Sequence, residues 1–237
     1  MVGIPRPVTI VAVNAGVSDP STTRLLADRV VQKAIDALRE SGTPATVRTI
    51  DLAPLAADIA RALVSGLPDP EVRAVIGQVA QADAVIAATP VYKAGISGLF
   101  KTFADLIDND LLIAKPVVLA ATGGSARHAM VVDDQLRPLF AFLRAIPVPT
   151  SLYVAPEDWG SADLGRRIDR AARELAVLLG TGAGRQIAES NWEGYQHQFG
   201  GNATAAARSF ADVDFDTDLM RLATGGGSPP PARERGR

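Results

Sequence analysis

The stretch "NAGVSDPSTTR" gathers hydroxyl side chains in a pattern typical of phosphate binding. Ser18, Ser21, Thr22 and Thr23 stand close together, immediately before an amphipathic stretch. Hydroxyls and free N–H groups at a helix N-terminus, assisted by the helix dipole, form a cradle for an anion. Capping the helix would need only one Ser or Thr. The loop therefore predicts a phosphate site, with ordinary helix capping as the alternative.

A second stretch, "TPVYKAGISG", has residue types that suit a planar ligand. Pro90 fixes one turn of the backbone, and Gly95 permits a close approach of the main chain to the ligand. The backbone amides from Val91 to Gly95 could face the polar edge of that ligand, and Tyr92 could lie against its face. The alternative is a simple exposed turn between a strand and a helix.

The third stretch, "ATGGSARHAM", contains the adjacent glycines Gly123 and Gly124. Paired glycines bring backbone N–H groups near a ligand without obstruction by side chains. A tight strand-to-helix turn would use the same residues. The stretch gains significance from its position relative to the other two.

Each of these stretches follows an apolar run, which is the element that must position it. Nearly uninterrupted apolar runs cover residues 8–13, 83–89, 116–122 and 151–156. Such runs predict strands buried on both faces of a parallel sheet. A more polar run at residues 45–52 predicts an edge strand. Helical periodicity predicts helices at residues 22–40, 70–82, 97–109, 130–145 and 161–180.

Five alternations of strand and helix predict an α/β fold with a doubly wound parallel sheet of flavodoxin-like topology. In the strand order 2-1-3-4-5 the second strand lies at the edge, which suits the polar run. Ligands of such sheets bind beyond the carboxyl ends of the strands, where the strand order reverses. We therefore expect the three stretches, which follow strands 1, 3 and 4, to form one site.

The chain divides by composition into a domain at residues 1–182, an extension or arm at residues 183–224 and a tail at residues 225–237. The tail consists mainly of Gly, Pro and charged residues and is expected to be disordered. The motif "GTGAG" at residues 180–184 follows a helix and no strand. It therefore predicts a helix C-cap and linker, not a dinucleotide fingerprint.

Composition excludes several classes of function. The chain has 237 residues, no cysteine, two histidines and a formal net charge of -2. Disulfides, thiol catalysis and thiolate metal sites are ruled out, and no metal site is predicted. The interspersed charges lack the basic patch of a nucleic-acid-binding protein. The N-terminal apolar run is too short to span a membrane and lacks the layout of a signal peptide. We expect a cytoplasmic protein with no nucleic-acid or membrane partner.

Together the motifs resemble those of one family. "TPVYKAGISGLFKTFADL" resembles the pattern TPVYxAxxSGxLKxxxD, and "ATGGSARHAMVVDDQLRPL" resembles ATGGxxxHxxxxDxxLxP. "STTRLLA" is similar to SxNxxLA, with Thr23 in place of asparagine. These are patterns of the NAD(P)H-dependent FMN reductases, particularly those that supply reduced flavin to two-component, luciferase-like or sulfonate monooxygenases. The resemblance covers about residues 8–180.

The resemblance implies a set of FMN contacts. The first loop would hold the phosphate, the second the ribityl chain and isoalloxazine, and the third the remaining edge of the ring. The residues implied are Ser18, Ser21, Thr22, Thr23, Pro90, Val91, Tyr92, Lys93, Ala94, Gly95, Thr122, Gly123, Gly124 and Ser125. Many family members carry arginine where this chain has Ser18, and Arg24 is a candidate to replace it.

The activity implied is hydride transfer from NAD(P)H, with NADPH favoured, to FMN, followed by delivery of reduced flavin to a partner monooxygenase. No catalytic acid or base is required, because the cofactors make and break the bonds. Backbone N–H groups near Gly123 and Gly124 could stabilise charge on the reduced flavin, assisted by Arg127 or His128. The resemblance also implies a homodimer or homotetramer. The alternatives are a quinone or azo reductase with prosthetic FMN, and a flavodoxin-like electron carrier, for which the chain is insufficiently acidic.

Overall fold

The predicted apolar runs form a parallel sheet in the computed structural model, which describes residues 7–191. The strands are β1 (Val8–Asn14), β2 (Ala45–Asp51), β3 (Ala84–Tyr92), β4 (Gly95–Ile96), β5 (Pro116–Thr122), β6 (Ile146–Pro147) and β7 (Leu152–Val154). Their order is β2-β1-β3-β5, with β6 and β7 both parallel to β5. This confirms the predicted order 2-1-3-4-5, although the fifth strand is divided into two pieces.

Burial along the strands explains why the central ones are apolar throughout. Every residue of β5 is buried, as is nearly every residue of β1 and β3. By contrast, residues of β2 are mostly partly exposed or exposed, as expected for an edge strand with a neighbour on one side only. The polar run was therefore placed correctly from its composition.

Helices cover both faces of the sheet. They are α1 (Thr22–Glu40), α2 (Ala56–Ser65), α3 (Pro70–Gln81), α4 (Gly98–Asp105), α5 (Arg137–Phe142), α6 (Ala162–Thr181) and α7 (Ala183–Asn191). One core packs α1 and α6 against the sheet through side chains such as Leu26 and Ile168. The opposite core is built from α2 to α5, with Ile59, Val72 and Phe103 among its members. This is the doubly wound arrangement predicted from the alternation.

Several elements were not predicted, β6 and α7 among them. Helix α2 is a short helix in an alanine-rich stretch, and Ile59 and Ala62 are its buried residues. The two-residue strand β4 turns back antiparallel onto β3. Within the helix predicted at residues 130–145, the segment Val132–Leu136 is a π-helix and α5 begins only at Arg137.

At the break in the fifth strand, side chains replace backbone partners. Ile146 N and Val148 N donate to Lys115 O and Val117 O, whereas Thr150 N donates to Glu174 Oε2 at 2.8 Å. The guanidinium of Arg137 occupies the break and donates to Val148 O and Pro149 O, both at 3.2 Å, and to Ser151 Oγ at 2.6 Å. A side chain thus supplies donors that satisfy carbonyls where the backbone pairing stops.

At the end of α6, Gly182 adopts a left-handed conformation with φ 65°, which confirms the predicted C-cap within the "GTGAG" motif. The predicted arm begins with α7. Its remainder after residue 191 and the predicted tail at residues 225–237 lie outside the described residues. Among the helices described, none is long and apolar enough to cross a membrane.

Candidate functional site

A cleft of about 380 Å³ opens at the carboxyl ends of the central strands. Its wall consists of Gly16, Ser18, Thr22, Thr23, Pro90, Val91, Tyr92, Thr122, Gly123, Gly124, Val154, Pro156 and Trp159. The three stretches singled out in the sequence therefore meet in one place, where the strand order reverses between β1 and β3.

The structure divides the predicted site residues into two groups. Those in the wall are Ser18, Thr22, Thr23, Pro90, Val91, Tyr92, Thr122, Gly123 and Gly124. Those that adjoin wall residues along the chain but do not line the cleft are Ser21, Lys93, Ala94, Gly95 and Ser125. Each of the second group has a local structural role, or lies in a turn, as described below.

In the first loop the hydroxyl groups perform different tasks. Ser21 caps α1, since its Oγ accepts a hydrogen bond from Arg24 N at 3.1 Å. A Cβ on Gly16 would overlap that Oγ, so the loop needs glycine there. Thr23 is buried, and its Oγ1 lies 2.7 Å from Thr122 Oγ1 at the end of β5. This bond joins the first loop to the third and leaves Ser18 and Thr22 as the exposed hydroxyls of the wall.

Arg24 is not part of the cleft wall. Its guanidinium pairs with Asp28, Nε to Oδ1 at 2.9 Å, and with Asp51, Nη1 to Oδ2 at 2.5 Å. The hydrogen bond to Asp28 is the main factor that raises the pKa of Arg24, and Asp51 adds to it. Asp51 also accepts from Asn14 Nδ2, and Asn14 Oδ1 accepts from Gly16 N. The arginine thus braces the first loop from behind, and two carboxylates outside the cleft wall engage its guanidinium.

The second loop is a hairpin between β3 and β4. Lys93 and Ala94 form its two-residue turn, with φ values of 51° and 61°. Two consecutive positive φ values are the pattern of a type I′ turn, which matches the twist of a hairpin. Tyr92 precedes the turn, is 48% exposed and lines the cleft. The backbone from Val91 onward therefore leaves the sheet at the cleft and returns through β4.

In the third loop the two glycines differ. A Cβ on Gly123 would overlap Tyr153 Oη, which donates to Ser125 O at 2.5 Å. The N–H of Gly123 already donates to Val154 O at 3.1 Å. At Gly124, by contrast, a Cβ would meet nothing within 4 Å. The N–H of Gly123 is therefore engaged within the protein, and Gly124 remains the candidate whose N–H faces a ligand.

Tyr153 packs against the third loop. Its ring is buried against Gly123, and burial is the largest influence raising the pKa of its hydroxyl. The hydroxyl also donates to Ser125 O, and only its protonated form can do so. At neutral pH the hydroxyl is protonated and serves as a donor.

Four residues of the wall were not predicted from the sequence: Gly16, Val154, Pro156 and Trp159. The last three follow or end β7, whose carboxyl end meets the same edge of the sheet as the other strands. Trp159 also lies beneath the guanidinium of Arg29, 5.0 Å from the ring centroid, which fixes one of its faces by a cation–π contact. The sequence signal for this residue was a tryptophan shortly after a strand whose carboxyl end lies at this edge.

The described side chains that line the cleft carry no formal charge. Among the described residues, no Lys, Arg, His, Asp or Glu side chain lines the cleft. Arg127 and His128 bond to each other, Nε to Nε2 at 3.2 Å, and are not in the wall. Hydroxyls, the start of α1, aromatic rings and an unobstructed glycine backbone suit a phosphorylated planar ligand such as FMN.

Comparison with known proteins agrees with this geometry. Residues 8–160 match the family model described as NADPH-dependent FMN reductase. The FMN reductase (NADPH) of Pseudomonas aeruginosa is 38% identical over 179 residues, which are 73% of this chain and 94% of that protein. The NADH-dependent FMN reductase SfnF of Pseudomonas fluorescens is 39% identical over 181 residues, 74% of this chain and 94% of that protein.

Solved structures give the same result. An oxidoreductase from Corynebacterium diphtheriae is 39% identical, with a TM-score of 0.71, and the match covers 73% of this chain and 96% of that one. An NADH:FMN oxidoreductase in its apo form is 26% identical, with a TM-score of 0.62, and the match covers 72% and 89%. The resemblance inferred from the motifs is confirmed.

Proposed function

The chain belongs to the NADPH-dependent FMN reductase family, and from this premise we propose that it reduces FMN as a dissociable substrate and hands the reduced flavin to a separate flavin-dependent monooxygenase. It is an NAD(P)H-dependent oxidoreductase that uses FMN. The proposal concerns how FMN is held, for how long, and what receives the product.

The neutral wall carries the proposal. A phosphate held by neutral donors lacks the charge-assisted bonds that Arg or Lys would supply, and such bonds are about twice as strong as neutral ones. In the described part of the chain, no cationic side chain lines the cleft and Arg24 is paired with Asp28 and Asp51. FMN affinity is then moderate, which suits a flavin that must leave after each turnover.

In this proposal each loop has one task toward FMN. Ser18, Thr22 and the first turn of α1 bind the phosphate. Tyr92 and the hairpin backbone contact the isoalloxazine, and Gly124 N–H donates to its polar edge. Bound FMN supplies the chemistry by accepting a hydride from the nicotinamide. Trp159, held by Arg29, closes the side of the cleft formed by β7.

We also propose that the enzyme acts in the cytoplasm as a homodimer or homotetramer, as the family resemblance implies. An apolar surface on and after α2 supports this assembly: Leu63 is 46% exposed, Val64 90% and Leu67 64%. Burying such side chains between subunits is favourable. Light scattering after gel filtration measures the mass directly, and a monomer at micromolar concentration would contradict the assembly.

The decisive experiment is oxidation of NADPH and NADH by the purified protein in air, with and without free FMN. Oxidation that requires added FMN and saturates with it supports a dissociable flavin. FMN that stays bound through gel filtration, together with faster turnover of a quinone than of free FMN, would favour the prosthetic quinone or azo reductase. Binding of FMN without oxidation of either nucleotide would favour the electron carrier.

The monooxygenase partner needs its own test. A purified flavin-dependent monooxygenase would be mixed with the enzyme, NADH or NADPH, and catalytic FMN. Substrate oxidation that depends on all components supports transfer of reduced flavin. If chemically reduced FMN sustains the monooxygenase but the enzyme does not, the transfer role is wrong.

A further inference from the structure

The turn between β3 and β4 adopts a conformation that its own residues do not favour. Type I′ turns normally use Asn-Gly or Gly-Gly, because both central residues need positive φ. Here Lys93 and Ala94 occupy those positions, with φ 51° and 61°. Side chains with a Cβ clash with the backbone in this region, so the turn must be held by other contacts.

One side chain from a distant segment supplies such contacts. Gln135 Oε1 accepts a hydrogen bond from Ile96 N at 3.0 Å, and Gln135 Nε2 donates to Ala94 O at 3.3 Å. A Cβ on Gly95 would lie 3.1 Å from Gln135 Oε1, so the amide lies directly against the turn. A single planar group thus bonds to the backbone on both sides of Gly95.

The π-helical segment explains how Gln135 reaches the hairpin. In this segment Val132 and Leu136 are buried, whereas Gln135 is exposed on the side of the hairpin. A π-turn adds a residue to the helix and so changes which side chain faces a given neighbour, and such turns are frequent at functional sites. Asp133 in the same segment bonds to Ser151 Oγ near β7. The segment therefore braces two loops near the cleft.

We propose that Gln135 is a positioning residue for flavin binding: it holds the Lys93–Ala94 turn in the conformation that sets the Val91–Tyr92 side of the cleft. Gln135 itself does not line the cleft and acts only through the backbone of the hairpin. The flavin part of the inference rests on the proposed function. The part concerning the turn rests on the hydrogen bonds alone.

The test compares Gln135→Met, which keeps the length of the side chain and loses both hydrogen bonds, with the unmodified enzyme. We expect the dissociation constant for FMN, measured by quenching of flavin fluorescence, to rise about tenfold. The KM for FMN should rise with it, while the melting temperature changes little because the side chain is exposed. Gln32→Met is the matched control, since exposed Gln32 loses only its bond to Asp36 on α1.

Rescue distinguishes positioning from a general structural effect. In the Gln135→Met background, Ala94→Gly lets the turn adopt positive φ without a clash, and we expect most of the lost FMN affinity to return. If FMN affinity is unchanged in Gln135→Met, or if Ala94→Gly restores none of it, the positioning role is wrong.

A readout without flavin separates this inference from the proposed function. Hydrogen exchange of the Ile96 amide reports the bond to Gln135 directly and should become about tenfold faster in Gln135→Met. Unchanged exchange would overturn the proposed hold on the turn. Faster exchange in a protein that binds no FMN would instead support the hold and reject the flavin-binding function.

Discussion

Replacing Gly124 by alanine separates the flavin site from the fold. A Cβ at this position meets no protein atom within 4 Å, and the residue does not have positive φ. The protein alone therefore accepts alanine. If FMN lies against the backbone at Gly124, however, the methyl group occupies the space of the ligand and moves it away from the N–H donor.

The expected loss follows from the interaction removed. Moving the ligand away leaves hydrogen-bonding groups without their partners, which costs about 1–3 kcal/mol. Gly124→Ala should therefore weaken FMN binding by about 10-fold to 100-fold. Unfolding in urea should show no loss of stability, because no contact within the protein is strained.

Two other glycine substitutions provide the comparison. Gly123→Ala brings its Cβ against the ring of Tyr153, whose Cζ would be 3.2 Å away, and displaces the hydroxyl from Ser125 O. We expect it to cost about 1–3 kcal/mol of unfolding free energy. Gly77→Ala, inside α3 and equally unobstructed, should add about 0.5–1 kcal/mol and leave FMN binding unchanged.

Titration of FMN by fluorescence and unfolding in urea, on all variants, measure the two effects independently. An unchanged dissociation constant in Gly124→Ala would refute the placement of the flavin edge at Gly124. Equal losses of stability in Gly124→Ala and Gly123→Ala would refute the geometric argument itself.

Three further predictions concern two residues described above and Lys115, which is partly buried at the other end of the sheet. FMN should quench the fluorescence of Trp159 in the cleft wall, and Trp159→Phe should remove most of that quenching; quenching retained in full would place the ligand elsewhere. Thr23→Val should lower the unfolding free energy by about 1–2 kcal/mol in urea, because it leaves the buried Thr122 hydroxyl without its partner; an unchanged value would contradict the importance of that bond. Burial lowers the pKa of Lys115 to about 8 from 10.5, so between these values the unfolded chain binds more protons at this site and the folded state gains stability as pH rises. Relative to Lys115→Met, the unmodified protein should therefore become more stable from pH 8 to 10, by at most about 3 kcal/mol, and a constant difference would refute the shift.

The sequence predicted the fold because the central strands are buried on both faces. Uninterrupted apolar runs such as residues 116–122 leave few alternatives to a parallel sheet. The edge strand was placed by the polar residues Arg48 and Thr49, which are exposed and partly exposed on β2. The split of the fifth strand was less predictable, because it depends on which carbonyls Arg137 reaches in the folded chain.

The site was predictable where composition and topology coincide, and less so elsewhere. Hydroxyls and glycines after strands 1, 3 and 4 had both signals. Trp159 follows β7, so its position in the topology was the one signal available. The predicted switch point lies between other strands. Gln135 had neither: it is a polar residue on an exposed helical surface, and its partners are backbone atoms about 40 positions away. Its role depends on the register of a π-turn, which tertiary packing decides.

The interrupted fifth strand also affects how copies of the protein can meet. A long, regular edge strand offers a row of unpaired N–H and C=O groups to which another chain can add, with aggregation as one result. Here that edge consists of the short strands β6 and β7, separated by prolines, and Arg137 already occupies Val148 O and Pro149 O. Extension of the sheet across this edge is thereby disfavoured. The continuous strand β2, at the opposite edge, is thus the edge of the described sheet at which another chain can still add.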